Sequence, residues 1–197
     1  MGRRAGLAPD ETRERLLEAA ADAFSRLGYD GAGVAAIARA AGLSTGAIYA
    51  NYASKAELFA ATLEAYGRIQ YKALIGTGAV RDVTEFLEVA GSTIDRRERR
   101  QAELFVEAVV AAKHHPEVAE LVGRHLLESE SMMGDAVKRG LHTGAVDAGV
   151  SEQAVSRFIT MVGLGSALTA ALNLPAPDHD DWQRLIERLT AALRPTA

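Results

Sequence analysis

Between Gly33 and Tyr52 the chain places small residues and turn formers at the spacing of a helix-turn-helix. Ala38 stands four residues before Gly42, and Ile48 six residues after it. A small side chain in one helix lets the next pass close. Glycine permits the tight turn, and an apolar residue pins the second helix back on the first. Held that way, the second helix can enter a major groove, where its first residues meet base edges. The chemistry on offer is hydrogen bonding and close contact with bases and phosphates. Charge for holding phosphates is scarce. Residues 31–56 contain no acid, and their basic residues are Arg39 and Lys55.

Other groupings offer less. His114-His115-Pro116-Glu117 ends one helical stretch and starts another, where histidines favour the negative helix end. His125 and Glu128 sit three apart, and Asp178-His179-Asp180-Asp181 precedes a helical stretch that its acids are suited to begin. Without a third well-placed ligand neither group makes a metal site, so no metal is expected. No glycine-rich phosphate loop, nucleophile elbow or paired carboxylates appear, and no enzyme or cofactor is expected. Arg96-Arg97-Glu98-Arg99-Arg100 is dense in charge but falls at a helix junction, where solvation explains it.

The chain as a whole has 48% hydrophobic and 24% charged residues, ordinary for a globular protein, and no cysteine. Net charge is −4. Residues 1–56 hold seven basic and six acidic side chains, a balance of +1 that leaves −5 for the rest. The first residues carry Arg3 and Arg4 without an apolar stretch behind them, unlike a signal peptide. The run Phe158–Leu174, broken by Gly163, Gly165, Ser166, Thr169 and Asn173, reads as too short and mixed to cross a membrane. The expected location is therefore cytoplasmic, and at the nucleoid when bound to DNA.

The elements that must position the motif read as helical throughout. A first helix over about 9–27 carries Leu16, Leu17, Ala20, Ala23, Phe24 and Leu27 as one stripe and stops at Gly28. Short helices follow over 34–41 and 45–52, the latter N-capped by Ser44. Ser54 and Glu57 form a capping box that opens a long helix to about 74. Five more stretches, at 81–95, 97–114, 117–142, 151–172 and 180–194, complete about nine helices. The fold is all-α: a three-helix helix-turn-helix domain over 10–56, with its motif at 33–52, followed by a helical bundle over 57–197. The long fourth helix is read as the sole covalent lever between the two.

The segment GYDGAGVAAIARAAGLSTGAIYANYASKAELFAA resembles the DNA-binding domain of the tetracycline-repressor (TetR) family of bacterial regulators. The recurring elements stand here as Gly28-Tyr29, Val34, Ile37-Ala38, Ala41-Gly42-Leu43-Ser44, Gly46, Ile48-Tyr49, Tyr52, Ser54-Lys55 and Glu57-Leu58. The likeness is close over 10–60 and only architectural beyond. It implies that Ser44, Thr45, Gly46 and Ala47 lie near base edges. It also implies that Tyr49, Asn51 and Lys55 meet phosphates. Where the family usually has threonines before Val34, this chain has Ala32 and Gly33, so a phosphate contact there falls to backbone N–H groups. Tyr52 replaces the usual phenylalanine and is read as core, with its hydroxyl at the edge. Since Thr45–Ala47 lack the bidentate fork of Arg, Asn or Gln, specificity should rest on methyl contacts, close backbone approach and DNA shape.

The resemblance further implies a homodimer, with the helices at 151–172 and 180–194 pairing with their twofold mates. Phe158, Val162, Ser166, Trp182 and Leu189 are the expected interface residues. An effector pocket among the helices spanning 81–142 would be lined by Phe86, Phe105, Val109, His125, Met132 and Met133, because methionines and aromatics suit an adaptable apolar cavity. The expected function is a transcriptional regulator, a repressor released from a pseudo-palindromic operator when a small apolar molecule binds. Two rivals stay open: an all-α enzyme using the same cavity, and a helix-turn-helix protein that binds only other proteins. Turnover of a bound ligand would mark the first, and absence of salt-dependent DNA binding the second.

Overall fold

The computed structural model describes residues 9–75, 82–91 and 99–195. Among these residues there are nine helices and no strands. They are α1 (Pro9–Gly31), α2 (Val34–Ala40), α3 (Thr45–Tyr49), α4 (Lys55–Ile75), α5 (Val83–Gly91), α6 (Arg99–His114), α7 (Pro116–Thr143), α8 (Glu152–Ala171) and α9 (His179–Ala191). The Arg3-Arg4 pair and Arg96-Arg97 fall outside the described residues.

The chain divides into two compact units, and their limits differ from a simple cut at residue 56. One unit joins Met1–Tyr66 to Glu107–Val122; the other joins Gly67–Val106 to Gly123–Ala197. The backbone therefore passes between them within α4, α6 and α7, so α4 is not the sole covalent lever. The reason lies in the packing of the first unit. The early turns of α4 bury Ala56, Leu58, Phe59 and Thr62, and the Phe59 ring lies 4.6 Å from Phe24 and 5.2 Å from Tyr29.

In that unit α1 supplies Leu16, Leu17, Ala20 and Phe24 to the core, as its stripe predicts. Leu27 does not follow them and stays exposed. The chain turns one residue later at Gly28, in the left-handed region at φ 73°, and Tyr29 takes the inward place. Ile37, Ala38 and Ala41 of the α2 segment and Ile48 of α3 complete the core.

The second unit is built around Val83 and Phe86 of α5, Met133, Ala136 and Val137 of α7, Val146, and Val155 and Ile159 of α8. Asp82 Oδ1 accepts from the N–H of Thr84 at 2.8 Å and starts α5. Ser151 caps α8 by accepting from Ala154 N–H. Asp178 accepts from both Asp180 and Asp181 N–H at 3.0 Å and starts α9, one residue earlier than the sequence pattern places it. Exposed apolar side chains are common in this unit. Phe158, Met161 and Leu168 on α8, Leu172 at its C-cap, and Leu185 and Leu189 on α9 stand in solvent in the single chain.

Candidate nucleic-acid interface

The turn between α2 and α3 is closed by main-chain bonds. Leu43 N–H donates to Ala38 O at 2.8 Å and Gly42 N–H to Arg39 O at 3.1 Å. Gly42 sits at φ 72°, where other residues are strained. Arg15, from α1, donates from Nη2 to Ala41 O at 3.1 Å and lies against Gly42, so the exposed end of α2 has a guanidinium cap. Ile48 is buried beneath the turn, as its spacing from Gly42 predicts.

Ser44 takes the N-cap of α3, its Oγ accepting from Ala47 N–H at 3.1 Å. Thr45 and Ala47 are half-buried and Gly46 is exposed at the front of the helix. That front is small but not bare, because Thr45 adds one hydroxyl and one methyl to it. Tyr49 is 51% exposed, a large ring left in solvent on a short helix. Asn51 is exposed too, but its Nδ2 donates back to Ala47 O at 2.9 Å, leaving its amide oxygen free of that bond. Tyr52 is half-buried, and its side chain beside the Arg13 guanidinium holds that group above its ordinary pKa.

At the other edge, Gly33 is the N-cap of α2 with ordinary extended backbone at φ −86° and no side-chain cap. A Cβ there would meet nothing within 4 Å, and Val34 beside it is half-buried. The capping box at α4 forms as the sequence predicts. Glu57 N–H donates to Ser54 Oγ at 3.1 Å, and Glu57 Oε2 accepts from Ala53 N–H at 2.7 Å. Lys55 is the first residue of α4. Its ammonium stands 4.6 Å over the Tyr29 ring and 3.4 Å from Asp30 O. Burial lowers its pKa, and Asp30 acts against that.

Four further residues that support this surface carry no signal in the motif: Arg13, Arg15, Glu107 and His115. Glu107 Oε1 accepts from Tyr29 N–H at 2.6 Å, across 78 positions of sequence. The His115 ring lies 4.8 Å from the Tyr29 ring, and its Nε2 is 2.8 Å from Asp30 Oδ1 without hydrogen-bond alignment. Glu117 Oε1 is 3.7 Å from its Nδ1. Local patterning carries no sign of contacts spanning such separations. The one hint is His115-Pro116, legible only as a helix junction.

The expected pocket residues differ in burial. Phe86 and Met133 are core, Phe105 and His125 are half-buried, and Val109 and Met132 are exposed. Val109 also belongs to the first unit while the other five belong to the second. Two apolar grooves in the second unit involve none of them. One, of about 390 Å³, is lined by Val162, Ser166, Thr169, Leu174 and Trp182 among others. The other, of about 320 Å³, lies among α5, α8 and α9 and is lined by Leu87, Val155, Phe158, Ile186 and Leu189 among others. All five expected interface residues thus line one groove or both.

Residues 16–62 match the model for bacterial regulatory proteins of the tetR family. No curated protein matches the sequence. Among solved structures, the fold is similar to a TetR-family transcriptional regulator from Rhodococcus sp., with TM-score 0.81 and 16% identity over 94% of this chain and 100% of that one. It is also similar to GusR of Salmonella enterica, with TM-score 0.75 and 21% identity over 95% and 97% of the two chains. A third likeness is to the TetR-family regulator CifR, a cysteine mutant in complex with 26-bp operator DNA. There the TM-score is 0.67 and the identity 22% over 98% and 100%. At such identities the structures speak for the fold.

Proposed function

We propose that this chain is a tetR-family DNA-binding transcriptional regulator acting as a homodimeric repressor, a reading supported by the family-model match over residues 16–62 and by the fold. In this reading two copies of α3 enter successive major grooves of a pseudo-palindromic operator. Thr45, Gly46 and Ala47 approach base edges, Ser44 orients them, and Tyr49, Asn51 and Lys55 meet phosphates with the Gly33–Val34 backbone. The observation that carries it is the exposed front of α3. It is capped by Ser44, pinned by Ile48 and free of acids over 31–56.

The α8–α9 face supports the dimer. A helix apolar on more than one side needs a second partner, and α8 buries only Val155, Ser156, Ile159 and Ala167 in its own chain. By length and composition alone α8, Glu152–Ala171, is apolar enough to cross a membrane, with a window of mean hydropathy 1.3. The run Phe158–Leu174, read alone, misses the first turns of that helix. A helix covered by a twofold mate has the same composition, and we assign α8 to that role. A small apolar effector bound in the C-terminal domain would favour a DNA-incompetent state and release the operator, since only differential affinity shifts such an equilibrium. The chain carries no catalytic role in this reading, and it acts in the cytoplasm.

Selection of duplexes from a random 30-bp pool tests the operator. The expected result is an enriched inverted repeat whose affinity falls as salt rises. An enriched set with no internal symmetry would refute the dimeric reading head.

A further inference from the structure

The corner between α1 and α2 is gripped by side chains that arrive from far along the chain. Glu107 of α6 accepts from Tyr29 N–H at 2.6 Å, and its carboxylate lies against left-handed Gly28, where an added Cβ would meet Oε1 at 3.1 Å. His115, the single residue between α6 and α7, packs its ring on Tyr29 and faces Asp30. The carbonyl of Asp30 and the ring of Tyr29 in turn hold the Lys55 ammonium. All these residues belong to one compact unit.

Apolar burial does not require these polar contacts. Phe24, Ile37, Ile48, Leu58 and Phe59 are almost wholly covered and supply the core of the head. A charge-assisted hydrogen bond to a main-chain amide instead fixes direction, because it is short and angle-dependent. The corner it fixes runs straight into Gly33, the N-cap of α2, and through Asp30 sets the perch of Lys55. Both are among the groups expected to meet the DNA backbone.

We propose that Glu107 and His115 are positioning residues for operator binding: from α6 and the α6–α7 joint they set where the start of α2 and the Lys55 ammonium stand when the head meets DNA. The proposal rests on the DNA-binding reading above.

The test uses the full chain and a duplex that the wild-type protein selects from a random pool, titrated by fluorescence anisotropy. Glu107→Ala, which leaves the Tyr29 amide without its acceptor, should bind about tenfold more weakly, with its thermal midpoint lowered by only a few degrees and its dimer retained. Glu107→Gln keeps an acceptor oxygen and should recover affinity to within about twofold of wild type. In a Lys55→Ala background the Glu107→Ala loss should shrink to about threefold or less, the mark of coupled sites. His115→Phe keeps a ring on Tyr29 but no nitrogen facing Asp30, and should lose about threefold.

Wild-type affinity in Glu107→Ala overturns the proposal, as does a Gln variant no better than Ala or a loss unchanged by Lys55→Ala. If Glu107→Ala does not fold, His115→Phe decides, and wild-type affinity there is the overturning result. A wild-type protein that selects no duplex at all refutes the operator reading itself, and this proposal with it.

Discussion

The two compact units expose large apolar side chains in different places: the first leaves Leu27, Val109, Val110 and the Tyr49 ring in solvent, the second a stripe on α8 and α9. In the reading head, Phe24, Tyr29, Phe59, Ile37 and Ile48 are all buried, while the Tyr49 ring on α3 stands in solvent. In the second unit, Phe158, Met161 and Leu168 of α8, Leu172 at its C-cap, and Leu185 and Leu189 of α9 are exposed. The head buries its core residues within one chain, and in the DNA-binding reading its exposed Tyr49 ring meets a polar ligand. Among the described residues the other unit leaves much of α8 and α9 uncovered, and in the dimeric reading this exposed stripe meets another apolar one. Exposure has a different meaning in each unit.

The largest expected effect sharpens the first half of that contrast. Phe59→Ala removes a ring wedged against Phe24 and Tyr29 and should cost about 3–5 kcal/mol in denaturant unfolding. A loss below about 1 kcal/mol would mean that the head is less closely packed than its burial indicates. The second half rests on Phe158→Glu. It should weaken self-association by about 100-fold or more, as when an interface anchor is lost, and sedimentation reads the shift to monomer. A dimer that survives the change would remove α8 from the interface.

Smaller effects probe the head's outer surface. Lys55→Ala should reduce the slope of log affinity against log salt by about 1, and Tyr49→Phe should weaken operator binding by about threefold. Unchanged affinity in both would withdraw the phosphate roles given to these two residues. The smallest concerns Gly33. Its backbone is unstrained and a Cβ there has open space, so Gly33→Ser should raise the thermal stability of the head by a few tenths of a kcal/mol. A loss of stability would show that the α2 N-terminus is not the simple cap site described.

What local chemistry dictates is readable from residue order. Ser44, Gly42, Ile48 and the Ser54–Glu57 box act over a few positions, and the structure places each as its spacing predicts. Helix ends shift by a residue or a few: α3 closes at Tyr49 rather than Tyr52, and α9 opens at His179. The limits of the head are not readable. They depend on Glu107 and His115 meeting Tyr29 and Asp30, and neither periodicity nor turn chemistry reports a contact across 78 positions. The expected pocket residues differ in burial for a related reason. Met133 and Phe86 are as suited to a core as to a cavity, and only tertiary packing separates the two uses.

The long reach of Glu107 also sets a schedule for synthesis. The helix-turn-helix leaves the ribosome early, yet the amide of Tyr29 has no acceptor from Glu107 until 78 further residues have been added. At the usual pace of translation that is a wait on the order of 4–16 s. Once residue 62 has been added, the nascent head has the apolar residues that α1–α4 contribute but still lacks the grip on its α1–α2 corner. The same dependence bears on fusions: a graft that ends at residue 66 leaves Glu107–Val122 behind, and transplanting this head means carrying two separate pieces of chain.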